Sequence, residues 1–301
     1  MLPLRLVDAF TEFPFQGSRA GVVFDADGLS DAACLAIARE VQASETAFVE
    51  ARAGAGFRVR FFTVAEEVPL CGHATLATFV ALAEEGRLPV GPDGVARTQM
   101  ECGAGQLPIE ARRIGGRWHV RQRHLLPTVK PCIVPRGEIA ALHGLHEEDL
   151  LRDLPVEIVS TGLPFLEIPL LDASGLARAK PQPGLGALQR SLGLSGSSLF
   201  TLDAPTGFRA EVRVFCDVVG IAEDPATGTN AGALACYFSR HGLVQPRHGA
   251  ARLAFLQGLA VGRRCELFTE LHFRAERELE AVFIDGAGVI TVRGEMLRPE
   301  E

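Results

Sequence analysis

The chain has 301 residues, of which 47% are hydrophobic and 22% are charged, and its formal net charge is -7. This length favours two domains of about 150 residues each. The 32 glycines and 18 prolines predict many tight turns and a sheet-rich architecture. The sequence lacks a lysine or arginine cluster and a long apolar run, which argues against a nucleic acid or a membrane as a partner.

The amino terminus and the cysteines indicate a compartment. MLPLRLVDAF lacks the basic stretch and the long apolar core of a secretory signal. The seven cysteines are odd in number and scattered, without C-x-x-C spacing, which argues against a disulfide framework and a structural zinc site. We therefore expect a cytoplasmic protein.

The first part of the chain predicts strands around one helix. Short β-branched and aromatic runs at 4–10 and 20–24 favour two strands joined by the turn-rich FPFQGSR. Ser30 is the expected N-cap of a helix, because the apolar residues that follow have near-helical spacing. SETAFVEA and FRVRFFTV then return to strand character.

A second helix is predicted within PLCGHATLATFVALAEEGRLP, ending at Gly86, where a C-terminal cap is expected. The segment EDPATGTNAGALACYF at 223–238 repeats its pattern, because Gly228 follows Gly72 at a distance of 156 residues. Both copies read E-x-P-x-(C/T)-G-(H/T) before a small-and-apolar helix. Such a repeat, with a period of about half the chain, indicates a duplicated domain.

The repeat sets the expected domain organisation. We place a first α+β repeat at 1–115 and a second at 116–301. The tail AVFIDGAGVITVRGEML is predicted to form two short strands joined by Gly-rich turns. It either closes the second half or, from about residue 287 to 301, returns to the first.

The two helix starts are candidate binding sites for an anion such as a carboxylate. A helix start offers unpaired backbone N–H groups and the positive end of the helix dipole. Gly72 and Gly228 open the two helices, and the hydroxyls of Thr227 and Thr229 add hydrogen-bonding groups. These four residues are the predicted substrate-binding set, although threonines at a helix start are also ordinary caps.

Three residues are candidates for proton transfer. His73 lies at the first helix start, which should keep its imidazole neutral and able to donate or accept a proton. Asp224 lies just before the second helix, where the dipole also favours a carboxylate for stability alone. Glu45 shares a strand face with Ala43 and Ala47, so its carboxylate should point inward, unless the strand edge faces water. An inward glutamate needs a partner or a raised pKa.

Taken together, these motifs resemble the phenazine-biosynthesis PhzF-like isomerase family, which is related in fold to diaminopimelate epimerase. The matching motifs span nearly the whole chain in the family's order: VDAF, FPFQG, AGVV, SETAFV, PLCGHATLA, STGLPFLEIPL, EDPATGT and QGLAVGR. The resemblance implies an α+β fold of two pseudo-repeated halves, each a curved, mostly antiparallel sheet wrapped around a central helix, with the site between them. It also implies a homodimer that needs no cofactor and no metal.

Carried over by position, the resemblance implies that Glu45 moves a proton between carbons of a small carboxylated metabolite, cyclic or amino-acid-like. His73 and Asp224 then orient and polarise this substrate. Thr229 stands where the family usually has a serine, and its extra methyl group should narrow the pocket. The family commonly has Asn-Pro where this chain has Ser18 and Arg19, which predicts a differently shaped loop with an added positive charge.

Two other functions remain open on the sequence. A two-thiol amino-acid racemase or epimerase would use Cys71, because a thiolate is favoured at a helix start. Its repeat partner is Thr227, which is far too weak an acid to reciprocate. A non-catalytic small-molecule binder would keep the duplicated fold and the anion site without the chemistry.

Overall fold

A computed structural model describes residues 1–52, 56–274 and 278–299. The chain forms two compact units: Met1–Arg123 together with the segment that starts at Asp285, and His124–Ile284. The sequence-based boundary at residue 115 falls in the turn between the strands Gly105–Ile114 and Arg117–His124 of the first unit. None of the helices in the described ranges is long and apolar enough to cross a membrane.

The first unit is a sheet built around one helix. The elements are β1 (Leu2–Ala9), β2 (Ser18–Val23), α1 (Asp31–Val41), β3 (Glu45–Arg52), β4 (Gly56–Phe62), β5 (Glu67–Val68), α2 (Gly72–Glu84), β6 (Val95–Cys102), β7 (Gly105–Ile114) and β8 (Arg117–His124). Strands β2 and β3, and strands β4 and β6, pair in parallel, whereas the other neighbouring strands are antiparallel. Helix α2 is buried from His73 to Ala83 and contacts β1, β2, β3 and β7, so the sheet wraps around it.

The second unit repeats this order of parallel and antiparallel pairs. The elements are β9 (Thr128–Pro131), α3 (Arg136–Leu142), β10 (Glu157–Ser160), β11 (Pro164–Leu170), α4 (Ala173–Arg178), α5 (Leu185–Ser191), β12 (Gly196–Thr201), β13 (Ala210–Cys216), β14 (Ile221–Asp224), α6 (Gly228–Arg240), β15 (Ala250–Gln257), β16 (Cys265–Phe273) and the first part of β17 (Leu279–Met296), which belongs to the first unit from Asp285 onward. Strands β11 and β12, and strands β13 and β15, are parallel, and α6 is the buried helix. The predicted α+β class with two pseudo-repeated halves is confirmed.

The helix ends follow the sequence signals. Ser30 caps α1, with its hydroxyl accepting a hydrogen bond from the Ala33 N–H at 3.3 Å. Gly86 adopts φ +67° after α2, and the Gly86 and Arg87 N–H groups bond back to the last-turn carbonyls at 3.1 and 2.8 Å. Gly242 ends α6 in the same way, with φ +71°. Both helices of the repeat therefore end at a glycine in the left-handed conformation, where a side chain would be strained.

Each unit contains its own copy of the same ion pair, which accounts for the glutamate of the repeated motif. Arg60 binds Glu67 through two nitrogens at 2.9 and 2.6 Å, and Arg213 binds Glu223 at 3.0 and 2.6 Å. Each guanidinium also lies about 5 Å from the ring of the phenylalanine two residues on, at 4.9 and 5.1 Å. Ion pairs that are joined by two hydrogen bonds are stronger than ordinary surface pairs. In both copies, the glutamate of the motif is therefore fixed to the preceding strand.

The prediction of two short strands in the tail is wrong. Residues 279–296 form a single strand, β17, whose later part pairs antiparallel with β1 from Ala9↔Gly288 to Leu2↔Met296. Gly286 is not a turn residue: a Cβ atom there would lie 2.6 Å from Phe10 and 2.7 Å from Leu76. The glycine is needed because these side chains pack against the strand backbone.

Candidate active site

The structure brings Glu45 and His73 together. Glu45 is the first residue of β3, beside Ala20 of the parallel strand β2, and His73 lies in the first turn of α2. Glu45 Oε2 lies 3.1 Å from His73 Nε2, and the two side chains are 15% and 9% exposed. The carboxylate therefore points inward, as the strand pattern predicts, and has a partner of opposite charge.

Two further side chains surround the imidazole ring. Cys71 Sγ lies 3.4 Å from His73 Nδ1, and Ser44 Oγ lies 3.1 Å from Nε2. Thr75 fixes the start of α2 by donating its hydroxyl to the Cys71 carbonyl at 2.7 Å. We call Ser44, Glu45, Cys71 and His73 the Glu45–His73 cluster. Sequence reasoning missed Ser44, although it directly precedes Glu45 in the SETAFV motif.

The charges in this cluster differ from the sequence expectation. Burial alone would raise the pKa of Glu45, but the charge of His73 and the hydrogen bonds from the cluster lower it. Burial also favours the neutral imidazole, yet Cys71 and Glu45 hold the pKa of His73 well above its usual value. The expectation of a neutral His73 is therefore wrong, because Cys71 and the Glu45 carboxylate at 3.1 Å raise the pKa of the imidazole more than burial lowers it. The resting pair is a carboxylate and an imidazolium.

The pKa of the Cys71 thiol is raised in this setting. Its side chain is buried, and burial raises the pKa of the thiol despite the neighbouring imidazole. The thiolate expected at a helix start is therefore not favoured. Its counterpart Thr227 uses its hydroxyl to bond Asp224. Neither position carries the reactive thiolate that a two-thiol racemase requires.

The predicted residues of the second unit form their own hydrogen-bonded group. The Thr227 hydroxyl donates to Asp224 Oδ2 at 2.7 Å. Gln257 Nε2 donates to the Asp224 carbonyl at 2.7 Å, and Gln257 Oε1 accepts from the Thr227 N–H at 3.3 Å. Gln257 was missed as a site residue, although it opens the QGLAVGR motif at the end of β15. This group fixes the turn that leads into α6.

The starts of α2 and α6, where the sequence predicts anion binding, are alike in their capping. Within the described parts of the chain, neither Cys71 nor Thr227 caps its helix through a side-chain hydrogen bond. The alternative of Thr227 as an ordinary cap is therefore wrong. Gly228 and Thr229 form the first turn of α6, and the Thr229 carbonyl accepts from Thr161 at 3.4 Å. In the first unit, the Gly72 carbonyl accepts from Gln122 Nε2 at 3.1 Å.

The position that corresponds to Glu45 in the second unit is a glycine. Gly196 is the first residue of β12, as Glu45 is of β3, and each follows a serine. A Cβ atom at Gly196 would lie 2.9 Å from Cys216 Sγ and 3.0 Å from the Phe215 carbonyl. No acidic side chain fits at Gly196, so the described part of the second unit has no counterpart of the Glu45–His73 pair at the equivalent positions.

Arg19, one of the two residues that depart from the family pattern, pairs with a buried carboxylate. Its Nε lies 3.3 Å from Asp8 Oδ1, and the Asp8 side chain is fully buried. The Arg19 carbonyl accepts the Ser44 hydroxyl at 3.1 Å. The added positive charge is therefore balanced by Asp8, while the Arg19 backbone supports the Glu45–His73 cluster.

Replacing Gly258 with alanine is expected to destabilise the second unit by about 2–4 kcal/mol. Gly258 has φ +81°, and an added Cβ would clash with the Arg263 carbonyl and lie 2.8 Å from the Pro225 carbonyl. The control is Gly262→Ala, where φ is +68° but nothing lies within 4 Å of the added atom. We expect a clearly larger fall in the urea unfolding midpoint for Gly258→Ala. Equal falls would show that backbone strain, and not the clash, decides.

Comparisons with known proteins agree with this architecture. The sequence profile of the phenazine biosynthesis-like protein family matches residues 7–294. An uncharacterized isomerase of Deinococcus radiodurans is 37% identical, over 96% of this chain and 92% of that protein. A trans-2,3-dihydro-3-hydroxyanthranilate isomerase of Pseudomonas fluorescens is 30% identical, over 96% and 97%. The crystal structure of a PhzF-family protein of Bacillus anthracis superposes with a TM-score of 0.90 at 28% identity, covering 98% and 99% of the two chains.

These matches and the duplicated α+β fold define the chain as an enzyme of the isomerase class. More particularly, it belongs to the phenazine biosynthesis-like protein family, whose profile covers nearly its whole length.

Proposed function

We propose that the protein is a cofactor-independent isomerase that moves a proton between carbons of a small carboxylated metabolite, with Glu45 as general acid and base. The observation that carries the proposal is the buried pair of Glu45 and His73 at 3.1 Å. Because the pKa of Glu45 is lowered, its carboxylate is free to accept a proton at neutral pH.

The reaction balances without an oxidant or a hydride carrier. The Glu45 carboxylate takes a proton from one substrate carbon, and the electron pair of that C–H bond moves into the conjugated system of the substrate. The same carboxyl group then returns the proton to a second carbon. The His73 imidazolium stabilises the carboxylate before and after transfer and supplies positive charge beside the developing negative charge.

The start of α6 is assigned to the substrate carboxylate in the same proposal. The N–H groups of Gly228 and Thr229, with the Thr229 hydroxyl, favour an anion at this helix end. Asp224 holds the Thr227 hydroxyl and so positions the turn. In the first unit, Gly72 leaves the start of α2 open. A homodimer and a cytoplasmic location complete the proposal.

The test is exchange of carbon-bound hydrogen with solvent. The protein is incubated in deuterium oxide with a panel of small carboxylates that includes trans-2,3-dihydro-3-hydroxyanthranilate, the compound named for a relative. We expect at least one compound to raise the melting temperature and to gain one deuterium or isomerise. A compound that stabilises the protein but never exchanges or isomerises would favour the non-catalytic binder.

Replacing His73 with asparagine is expected to shift the acidic limb of the pH–rate profile upward. His73 holds the pKa of Glu45 down, so its loss leaves burial to raise that pKa. The parent should lose activity only when pH falls through the lowered pKa of Glu45, or rises through the raised pKa of His73. The control is His248→Asn, an exposed histidine at φ +52° where asparagine is well tolerated. An unshifted acidic limb in His73→Asn would contradict this pairing.

A further inference from the structure

The first unit contains a cavity of about 520 Å³ at the edge formed by the end of β7 and the starts of β6 and β8. The residues that line it include Val90, Asp93, Val95, Arg112, Arg113 and Trp118. A volume of this size accommodates a small organic molecule. We propose that this cavity binds a small aromatic carboxylate, at a site separate from the Glu45–His73 cluster.

Two residues that line the cavity carry buried N–H groups without an acceptor. Trp118 is 6% exposed, and among the described residues its indole Nε1 has no hydrogen-bond partner. The same is true of Nε in Arg112. A buried donor that lacks an acceptor lowers the stability of the folded state. A ligand that accepts hydrogen bonds would therefore be favoured at this position.

Arg113 supplies a positive charge beside this indole. Arg113 and Trp118 are directly paired residues of β7 and β8, and the guanidinium carbon lies 5.0 Å from the centre of the Trp118 ring. In the part of the chain that the structure describes, Arg113 forms no ion pair, and its one hydrogen bond is a long one to the Gly116 carbonyl, at 3.4 Å. The guanidinium is therefore available to a carboxylate, whose two oxygens match its N–H groups.

The other charged groups of the lining are already neutralised. Arg112 binds Asp285 at 3.1 Å, and Asp93 binds Arg97 at 2.7 Å. The charge that remains unbalanced in the cavity is thus that of Arg113, which complements a ligand with a single negative charge.

Two valines provide an apolar wall for the rest of the ligand. Val90 is 50% exposed although it is a large hydrophobic residue, and Val95 is half-buried. A ring packed against these side chains would remove apolar surface from water. An aromatic carboxylate combines this ring with the charge that Arg113 requires.

The cavity is separate from the residues of the proposed reaction. Gln122, four residues beyond Trp118 on β8, donates to the Gly72 carbonyl at the start of α2, at 3.1 Å. Four residues of a strand span about 13 Å, so Trp118 lies well away from this helix start. The binding proposal therefore stands or fails independently of the isomerase reaction.

The binding test uses Trp118 itself as the reporter, because it is the single tryptophan of the chain. Benzoate is titrated into the protein while tryptophan fluorescence is recorded, and calorimetry measures the same binding without an optical signal. We expect a saturable change in fluorescence. Benzamide keeps the ring without the charge, and acetate keeps the charge without the ring, so each should bind at least about tenfold more weakly. No saturable binding of benzoate, or equal binding of either comparison compound, would overturn the proposal.

Matched variants locate the bound benzoate. Arg113→Gln should weaken its binding by about 10–100-fold, because a hydrogen bond to a charged group is lost. Arg117→Gln is the control, since Arg117 is exposed in the same β7–β8 hairpin but does not line the cavity. Trp118→Phe keeps a ring but removes the indole N–H, and calorimetry should show binding about tenfold weaker.

Arg113 is exposed, so its replacement should leave the protein folded, which circular dichroism confirms. Unchanged affinity in a folded Arg113→Gln protein would place benzoate elsewhere, for example at the start of α6, and overturn the proposal. An equal loss of affinity in Arg117→Gln would do the same, because it would show a general effect of surface charge and not a site.

Discussion

Replacing Glu45 with glutamine is expected to lower the rate of isomerisation and solvent exchange by about 10²–10⁴-fold. Glutamine has nearly the shape of glutamate but does not accept a proton from carbon. The carboxylate is also the partner of the His73 imidazolium at 3.1 Å, so the variant removes the charge that supports this protonation state. The rate is measured on the compound that the deuterium panel identifies, with circular dichroism to confirm folding.

Two further variants serve as controls for the Glu45→Gln result. Glu40→Gln makes the same chemical change at an exposed position on α1 and should leave the rate at the parent value. Cys71→Ala distinguishes the two-thiol reaction, because it should remain far more active than Glu45→Gln if the carboxylate carries the proton. Parent-like turnover by a folded Glu45→Gln protein would assign the proton transfer to another group.

The repeat was predictable because it depends on local signals. The motif around Gly72 and Gly228 opens two helices of equal length, and glycines end both. These features need only a turn, a small-residue helix and a left-handed glycine, which short segments encode. The inward direction of Glu45 also followed, since strand alternation fixes which face a side chain occupies.

The remaining features depend on packing between distant segments. Gly286 resembles a turn residue in the sequence, but it makes room for Phe10 and Leu76. The short helices α3, α4 and α5 went unpredicted because six or seven residues are too few to be stable alone. They are stabilised by burying side chains such as Ile139 and Leu176 in one hydrophobic cluster.

The charge states of the site were also beyond sequence reasoning. A helix start favours a neutral imidazole and a thiolate, and both expectations for His73 and Cys71 were reversed. The reason is that protonation depends on the surroundings in the fold, which are burial for Cys71 and, for His73, the neighbouring Cys71 together with Glu45 from a different element. Gln257 illustrates the same limit, because only the fold brings the end of β15 to the turn before α6.

Glu167 is a buried acid outside the proposed reaction. It lies on β11 beside Ser198 of β12, and its side chain is fully buried. Among the described residues, neither carboxyl oxygen makes a hydrogen bond of good geometry. The Ser198 hydroxyl nevertheless lies close enough to lower the pKa of the carboxyl, against the effect of burial. Burial therefore raises the pKa of Glu167 well above its usual value, and the folded protein holds this group protonated.

Replacing Glu167 with glutamine is expected to make the protein more stable than the parent at neutral and alkaline pH. In the unfolded chain the carboxyl loses its proton above its ordinary pKa, whereas the folded state keeps it. The parent thus loses stability as pH rises from that ordinary pKa to the raised one, by up to about 1.4 kcal/mol per pH unit. Glutamine has no proton to retain. The difference in unfolding free energy between variant and parent should therefore grow as pH rises from the ordinary pKa of 4.5 towards the raised pKa of Glu167.

Urea unfolding at several pH values measures this difference, with Glu101→Gln on β6 as the control. Glu101 is exposed, so the same substitution there should change stability little and equally at each pH. A constant difference between Glu167→Gln and the parent would mean that the Glu167 carboxyl is ionised in the folded protein. Its charge would then need a partner in the core of the second unit, because an isolated buried carboxylate costs far more than the fold can tolerate.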